Sequence, residues 1–186
     1  SRCLRRKIDG LHFYEIKEHT TFAASEQFVK VPLECDDMAL ISEAGLPAVA
    51  DPGANLVDLA HRHEIEVFPF VGPSSLMMAL MSSGMNGQSF AFNGYLPVKS
   101  HERRAKLKEL EKRSRNGRQS QIFIETPYRN DAMLGDILEV CEASTKVCIA
   151  ADITLPSAYI RTRSVEGWRK NRVTIGKRPC VFILMA

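Results

Sequence analysis

The chain has 186 residues, 45% hydrophobic and 25% charged, with a net charge of +3, long enough to bury a core as one large domain or two small ones. No apolar run approaches the roughly 20 residues that a membrane span needs, and SRCLRRKIDG at the start has no hydrophobic signal core, which reads as a cytoplasmic protein with no membrane partner. Five cysteines without a C-x-x-C suggest neither a disulfide framework nor a zinc site, and His61 and His63 fall where the last turn of a helix favours cations, so no metal is expected.

In chain order, residues 1–9 read as a helix tail ending at Gly10, Leu11 to Ile16 as a short strand, and Thr20 to Val29 as a weakly amphipathic helix carrying Phe22, Ala23 and Phe28. Met38 to Ile41 reads as a strand that empties into the small-residue loop SEAGLPAVADPG. Asp51 is then expected as the N-cap of a helix with Pro52 at its first position and Leu56, Val57, Leu59 and Ala60 on its buried side. Val67 to Val71, VFPFV, has the continuous apolar pattern of a strand covered on both faces. It breaks at Gly72-Pro73-Ser74-Ser75 into a Met-rich helix ended by Gly84.

Gln88 to Pro97 lacks a helical period and reads as a connector or edge strand. The expected domains are therefore residues 1–87 and 99–186, joined through 88–98. Lys99 to about Arg115 is a charged helix with Ser100 as its cap. Gln121 to Ile124 is a strand, followed by Thr126-Pro127 opening a helix through Cys141. Lys146 to Ala151, Tyr159 to Ser164 and Cys180 to Met185 read as strands, with a short helical turn from Glu166 to Lys170.

Charge is segregated along this order. Residues 11–98 carry 3 Lys/Arg against 11 Asp/Glu, residues 99–118 carry 9 against 3, and residues 161–178 carry 7 against 1. Either basic stretch could serve a polyanion or simply be a solvated face. Three proline-containing loops, at Ala44 to Pro47, Gly72 to Ser75 and Glu125 to Pro127, follow expected strands. In a mostly parallel sheet such loops gather at strand ends, where free N–H groups can hold a polar ligand.

The chain has no G-x-G-x-x-G, no G-x-x-x-x-G-K-[ST], no G-x-S-x-G and no H-E-x-x-H, which argues against nucleotide hydrolysis, serine hydrolysis and zinc proteolysis. The ordered series SEAGLPAVADPG, VGPSS, FNGYLP, a basic helix, IETPYRN and AADIT resembles the tetrapyrrole methylase (corrin and porphyrin methyltransferase) superfamily. Within it, the series is most similar to the branch that 2′-O-methylates a cytidine in small-subunit ribosomal RNA. The resemblance implies two α/β domains with S-adenosylmethionine between them, the first a mostly parallel sheet lacking its first strand and the second a mixed sheet, in a homodimer. By position it implies cofactor contacts from Ala44, Gly45, Leu46, Val49, Ser74, Ser75, Glu125, Thr126, Ile153 and Pro179. RNA contacts are expected from Arg103, Arg104 and Arg129, and Glu125 and Asp152 are the candidate catalytic carboxylates.

Two departures bear on this expectation. The chain starts after the point where the superfamily has a first strand and cofactor-touching turn, and so reads as N-terminally truncated. It also has Glu43-Ala44-Gly45-Leu46 and Ala151-Asp152 where that branch usually has Asp-Ala-Gly-Thr and Arg-Glu. Two alternatives follow: a methyltransferase for a tetrapyrrole or other small molecule, and a non-catalytic dimerisation module.

Overall fold

The computed structural model describes residues 12–17, 26–28 and 37–186. The expectations for residues 1–11 and for Phe22 and Ala23 lie outside the described residues. Residues 1–73 and 74–186 form two compact units. The α/β character expected of the chain is present, and its sheet lies in the second unit.

In the first unit, helix α1 (Ala54–Arg62) buries Leu56 and Leu59 against Ile16, Phe28, Met38, Leu40 and Ile65. The helix begins two residues later than the Asp51-Pro52 pattern predicts, because those residues are used in a turn in which Ala48 N–H donates to the Pro52 carbonyl at 3.4 Å. Gly53 takes the cap position at φ 131°. The positive φ favours glycine, and a Cβ there would stand 2.7 Å from Leu40 Cδ2, so that side chain would have to shift.

The parallel sheet expected in this first unit is not formed among its described residues. Segments 12–16, 38–41 and 67–71 have no strand assignment. Phe68, Phe70 and Val71 are 67%, 90% and 106% exposed, although VFPFV was expected to be covered. An apolar run becomes a strand only when a neighbour takes its N–H and C=O groups, and the sheet of the described residues contains no strand from this unit.

The second unit is a five-stranded mixed sheet, as expected for the C-terminal domain. Its elements are α2 (Ser75–Ser83), β1 (Phe90–Tyr95), α3 (Ser100–Gly117), β2 (Ser120–Ile124), α4 (Asn130–Val140), β3 (Lys146–Ala151), β4 (Tyr159–Ser164), α5 (Val165–Lys170) and β5 (Cys180–Met185). The strand order is β1-β2-β5-β3-β4; only β1 and β2 are parallel. The expected connector thus supplies an edge strand of this sheet, and α2, expected to close the first domain, packs on it. At Asn93-Gly94 the β1 register slips, and Asn93 Nδ2 fills the irregularity by donating to the Ala91 and Ile122 carbonyls.

The two faces of the sheet follow strict alternation. Ile122, Cys148, Ala150, Val181 and Ile183 meet Leu76, Ala79 and Leu80 of α2. Phe123, Val147, Ile149, Ala151, Phe182 and Leu184 point the other way, into a core with Leu107 and Leu110 of α3, Met133 and Ile137 of α4 and Trp168 of α5. Paired Phe123 and Phe182 stack with centroids 5.7 Å apart. Cys141, Cys148 and Cys180 are buried thiols, and burial pushes Cys141 and Cys180 up to about 12, which keeps them unreactive.

Candidate functional site

One end of the sheet collects the second-unit residues singled out by sequence. Pairing sets Tyr95 beside Ile124, Ile124 beside Val181, and Ala151 beside both Cys180 and Tyr159. The segments just beyond these pairs therefore converge: Glu125-Thr126 after β2, Asp152-Ile153 after β3, and Pro179 before β5. Asp152 N–H donates to the Pro179 carbonyl at 3.0 Å and ties two of them together. Helix α2 ends near Thr162, whose hydroxyl donates to the Ser83 carbonyl. The chain then reaches Asn86, bonded to Ser120 at the opposite sheet end. Its N-terminal residues Ser74 and Ser75 are thus directed toward the convergent end, and Ser74 Oγ caps the helix by accepting from Met77 N–H.

Glu125 is the most unusual group there. Its side chain is 0% exposed. Oε1 accepts from Thr126 N–H at 2.6 Å and from Arg129 Nε and Nη2 at 3.0 and 2.6 Å. Oε2 is buried with no hydrogen-bond partner among the described residues. A carboxylate oxygen left in that condition is costly, and the asymmetry leaves one acceptor available to a donor from outside the protein. Arg129, expected on RNA, is the counter-ion that orients Glu125. Asp152 is also engaged: Oδ2 accepts from Ser157 Oγ at 3.0 Å and lies 3.9 Å from Arg178 Nη1. Asp152 and Thr154 adopt φ of 52° and 77°, a left-handed conformation that non-glycine residues hold only under constraint, often at ligand loops.

Sequence reasoning passed over Asn130 and Arg178. Asn130 Nδ2 donates to the Gly176 and Arg178 carbonyls at 2.9 and 2.8 Å, pinning the loop that leads to Pro179, and its Oδ1 is buried without a partner among the described residues. Arg178 Nε donates to the Ile175 carbonyl at 2.6 Å. An asparagine behind Thr-Pro reads as an ordinary first-turn residue, and its loop partners lie 46 and 48 positions away; no local pattern announces them.

Of the two arginines expected to meet RNA, Arg103 is turned inward, and Arg104, 38% exposed, is engaged by carboxylates of the fold. Arg103 is buried; Nε donates to Asp136 at 2.7 Å and Nη1 to the Val98 carbonyl at 2.7 Å. Arg104 Nε binds the other Asp136 oxygen at 2.7 Å, and its Nη2 reaches Glu139 at 2.6 Å. Burial opposes ionisation of Asp136, but hydrogen bonds from Arg104, Arg103 and Ser100 outweigh it and hold its carboxyl below the usual value. Ser100 donates to Asp136 rather than capping α3, a position held by Lys99.

In the first unit, Ser42 Oγ donates to the Ala44 carbonyl at 2.9 Å, Gly45 adopts φ 77°, and Val49 N–H donates to the Leu46 carbonyl at 3.3 Å. Ala48 and Ala50 are left-handed at 62° and 55°. Leu46 approaches Gly72 so closely that a Cβ there would sit 3.0 Å from Leu46 Cδ2, bringing the loop of Ala44, Gly45, Leu46 and Val49 against the start of the second proline-containing loop.

No protein-family model matches the chain. The ribosomal RNA small subunit methyltransferase I of Vibrio cholerae is 35% identical over 141 residues, 76% of this chain and 48% of that protein. The Mesorhizobium japonicum protein of the same name is 34% identical over 163 residues, 88% of this chain and 52% of that protein. The Thermotoga maritima protein is 36% identical over 157 residues, 81% of this chain and 68% of that protein. The chain thus spans about half the length of the first two relatives. The crystal structure of the methyltransferase CobJ matches with a TM-score of 0.64 at 18% identity over 99% of this chain and 78% of that one, which shows a shared fold. On this similarity the chain belongs to the ribosomal RNA small subunit methyltransferase I family.

Proposed function

We propose that the chain is the cofactor-holding part of a cytoplasmic methyltransferase that uses S-adenosylmethionine to methylate a ribose 2′-hydroxyl of small-subunit ribosomal RNA. The observation that carries this reading is the 36% identity over 157 residues to a relative so named. The structure offers a chemical fit to the cofactor: a buried acceptor without a partner at Glu125 Oε2, beside half-buried Thr126 and Ile153, suits the hydroxyls or amine of an adenosine and its apolar ring. Ala44, Gly45, Leu46, Val49, Ser74, Ser75 and Pro179 enter the same proposal by sequence position, and homodimerisation rests on the resemblance alone.

Bound S-adenosylmethionine would supply an electrophilic methyl group. The protein's share is positioning and exclusion of water. Arg129 fixes one oxygen of Glu125 and turns the other toward the ligand. Ser157 and Arg178 hold Asp152, whose backbone sets the 152–154 turn against Pro179. A ribose hydroxyl must also lose its proton during transfer. With their present contacts, Glu125 and Asp152 are orienting groups. Labelled-methyl transfer to small ribosomal subunits that lack the modification tests the reading. Incorporation into RNA is expected, whereas binding of cofactor without any transfer to RNA would sink the RNA assignment.

A further inference from the structure

The two basic stretches differ in what their charges already do. Of the nine cations in residues 99–118, six are in ion pairs within the fold: Lys99 with Glu102, Arg103 and Arg104 with Asp136, Lys106 and Arg113 with Glu109, and Arg115 with Glu142. In residues 161–178, Lys170 pairs with Glu166, and Arg178 stands 3.9 Å from Asp152. Arg161, Arg163, Arg169, Arg172 and Lys177 form no ion pair with any described residue.

Strand β4 arranges part of this surplus in a row. It is the last strand of the sheet, and Tyr159, Arg161 and Arg163 alternate onto one face, the face that carries α5. The Arg163 guanidinium lies 5.2 Å over the Trp168 ring, and that of Arg178 lies 5.8 Å over the Tyr159 ring. Arg161 projects between them and is exposed. The row begins at Arg178, beside Asp152 and Pro179, and runs along the sheet edge away from the convergent loops. Two carboxylates of this region, Asp152 and Glu166, are already engaged by Ser157 and Lys170. A second copy pairing antiparallel along this edge would set arginines against arginines, which like-charge repulsion disfavours.

We propose that Arg161, Arg163 and Arg178 on β4 and the loop before β5 form the track that holds the phosphate backbone of the RNA substrate as it enters the site. Planar guanidiniums braced on aromatic rings are suited to phosphate oxygens, and Tyr128, exposed with Lys177 5.0 Å over its ring, offers a base-stacking surface near the same end. This rests on the RNA reading above and replaces Arg103 and Arg104 as its contacts.

Fluorescence anisotropy with a labelled transcript of small-subunit ribosomal RNA, across a salt series, tests it. The Arg161→Gln/Arg163→Gln variant is expected to bind about tenfold more weakly and to lose about two units from the salt slope, one for each phosphate contact removed. The control Lys108→Gln/Lys112→Gln should change less than twofold, and S-adenosylmethionine titration should be unaltered in both. Arg161→Gln alone, on an exposed side chain, should weaken binding about threefold and covers the case in which loss of Arg163 disturbs Trp168. Wild-type affinity in the β4 variants overturns the track while leaving the RNA reading intact. A parent chain that binds cofactor but no RNA overturns both.

Discussion

Glu125 is held through one oxygen, and the other has no partner among the described residues. If that free oxygen accepts from the cofactor, Glu125→Gln, which can turn an amide N–H₂ toward the ligand, should raise the S-adenosylmethionine dissociation constant at least tenfold while shifting the melting temperature only slightly. Calorimetric titration alongside a thermal melt checks it, and equal affinity in both proteins would remove Glu125 from the site. Asp136 does a different job: it neutralises two arginines where α3 meets α4. Asp136→Asn leaves buried Arg103 without its counter-charge and should cost about 3 kcal/mol in urea unfolding. Because the folded carboxyl titrates below its unfolded value, this stabilisation is in place above a pH of about 4 and is lost as pH falls through the folded value. The difference between parent and variant should shrink accordingly in acid.

Among elements, β3 and β5 were legible because burial on both faces writes a nearly continuous apolar run, filled by Ile149 and Phe182, and β2 by its shorter run Ile122 to Ile124. The same pattern at Val67 to Val71 produced no strand, since a run of side chains says nothing of whether a backbone partner lies alongside. The charged helix α3 was legible as a helix, but not the fate of its arginines, because Asp136, Glu139 and Glu142 arrive from α4 and its end. Asp51-Pro52 imitated a helix start that the turn at Ala48 displaced to Gly53. At Gly53, Gly53→Ala must adopt φ 131° and crowd Leu40. It should cost of order 1–3 kcal/mol locally, read as faster amide exchange along Ala54–Arg62 with the exchange of β3 and β5 unchanged.

At the scale of the molecule, the convergent sheet end was readable in outline: the Glu125 to Pro127 loop stood out in the residues, Ile153 and Pro179 came only from the family resemblance, and strand pairing brings Glu125, Thr126, Asp152, Ile153 and Pro179 together. The charge map was half readable, since sequence located both basic stretches and only the ion pairs distinguish a structural one from one with free cations. The proposed activity joins these features, with cofactor at the convergent end and RNA approaching along β4. Its most direct test is to incubate the chain with methyl-labelled S-adenosylmethionine and unmodified small ribosomal subunits, then digest the RNA to nucleosides and locate the label. The expected result is label on the ribose of a cytidine; label on a base, or RNA that stays unlabelled, would contradict the account.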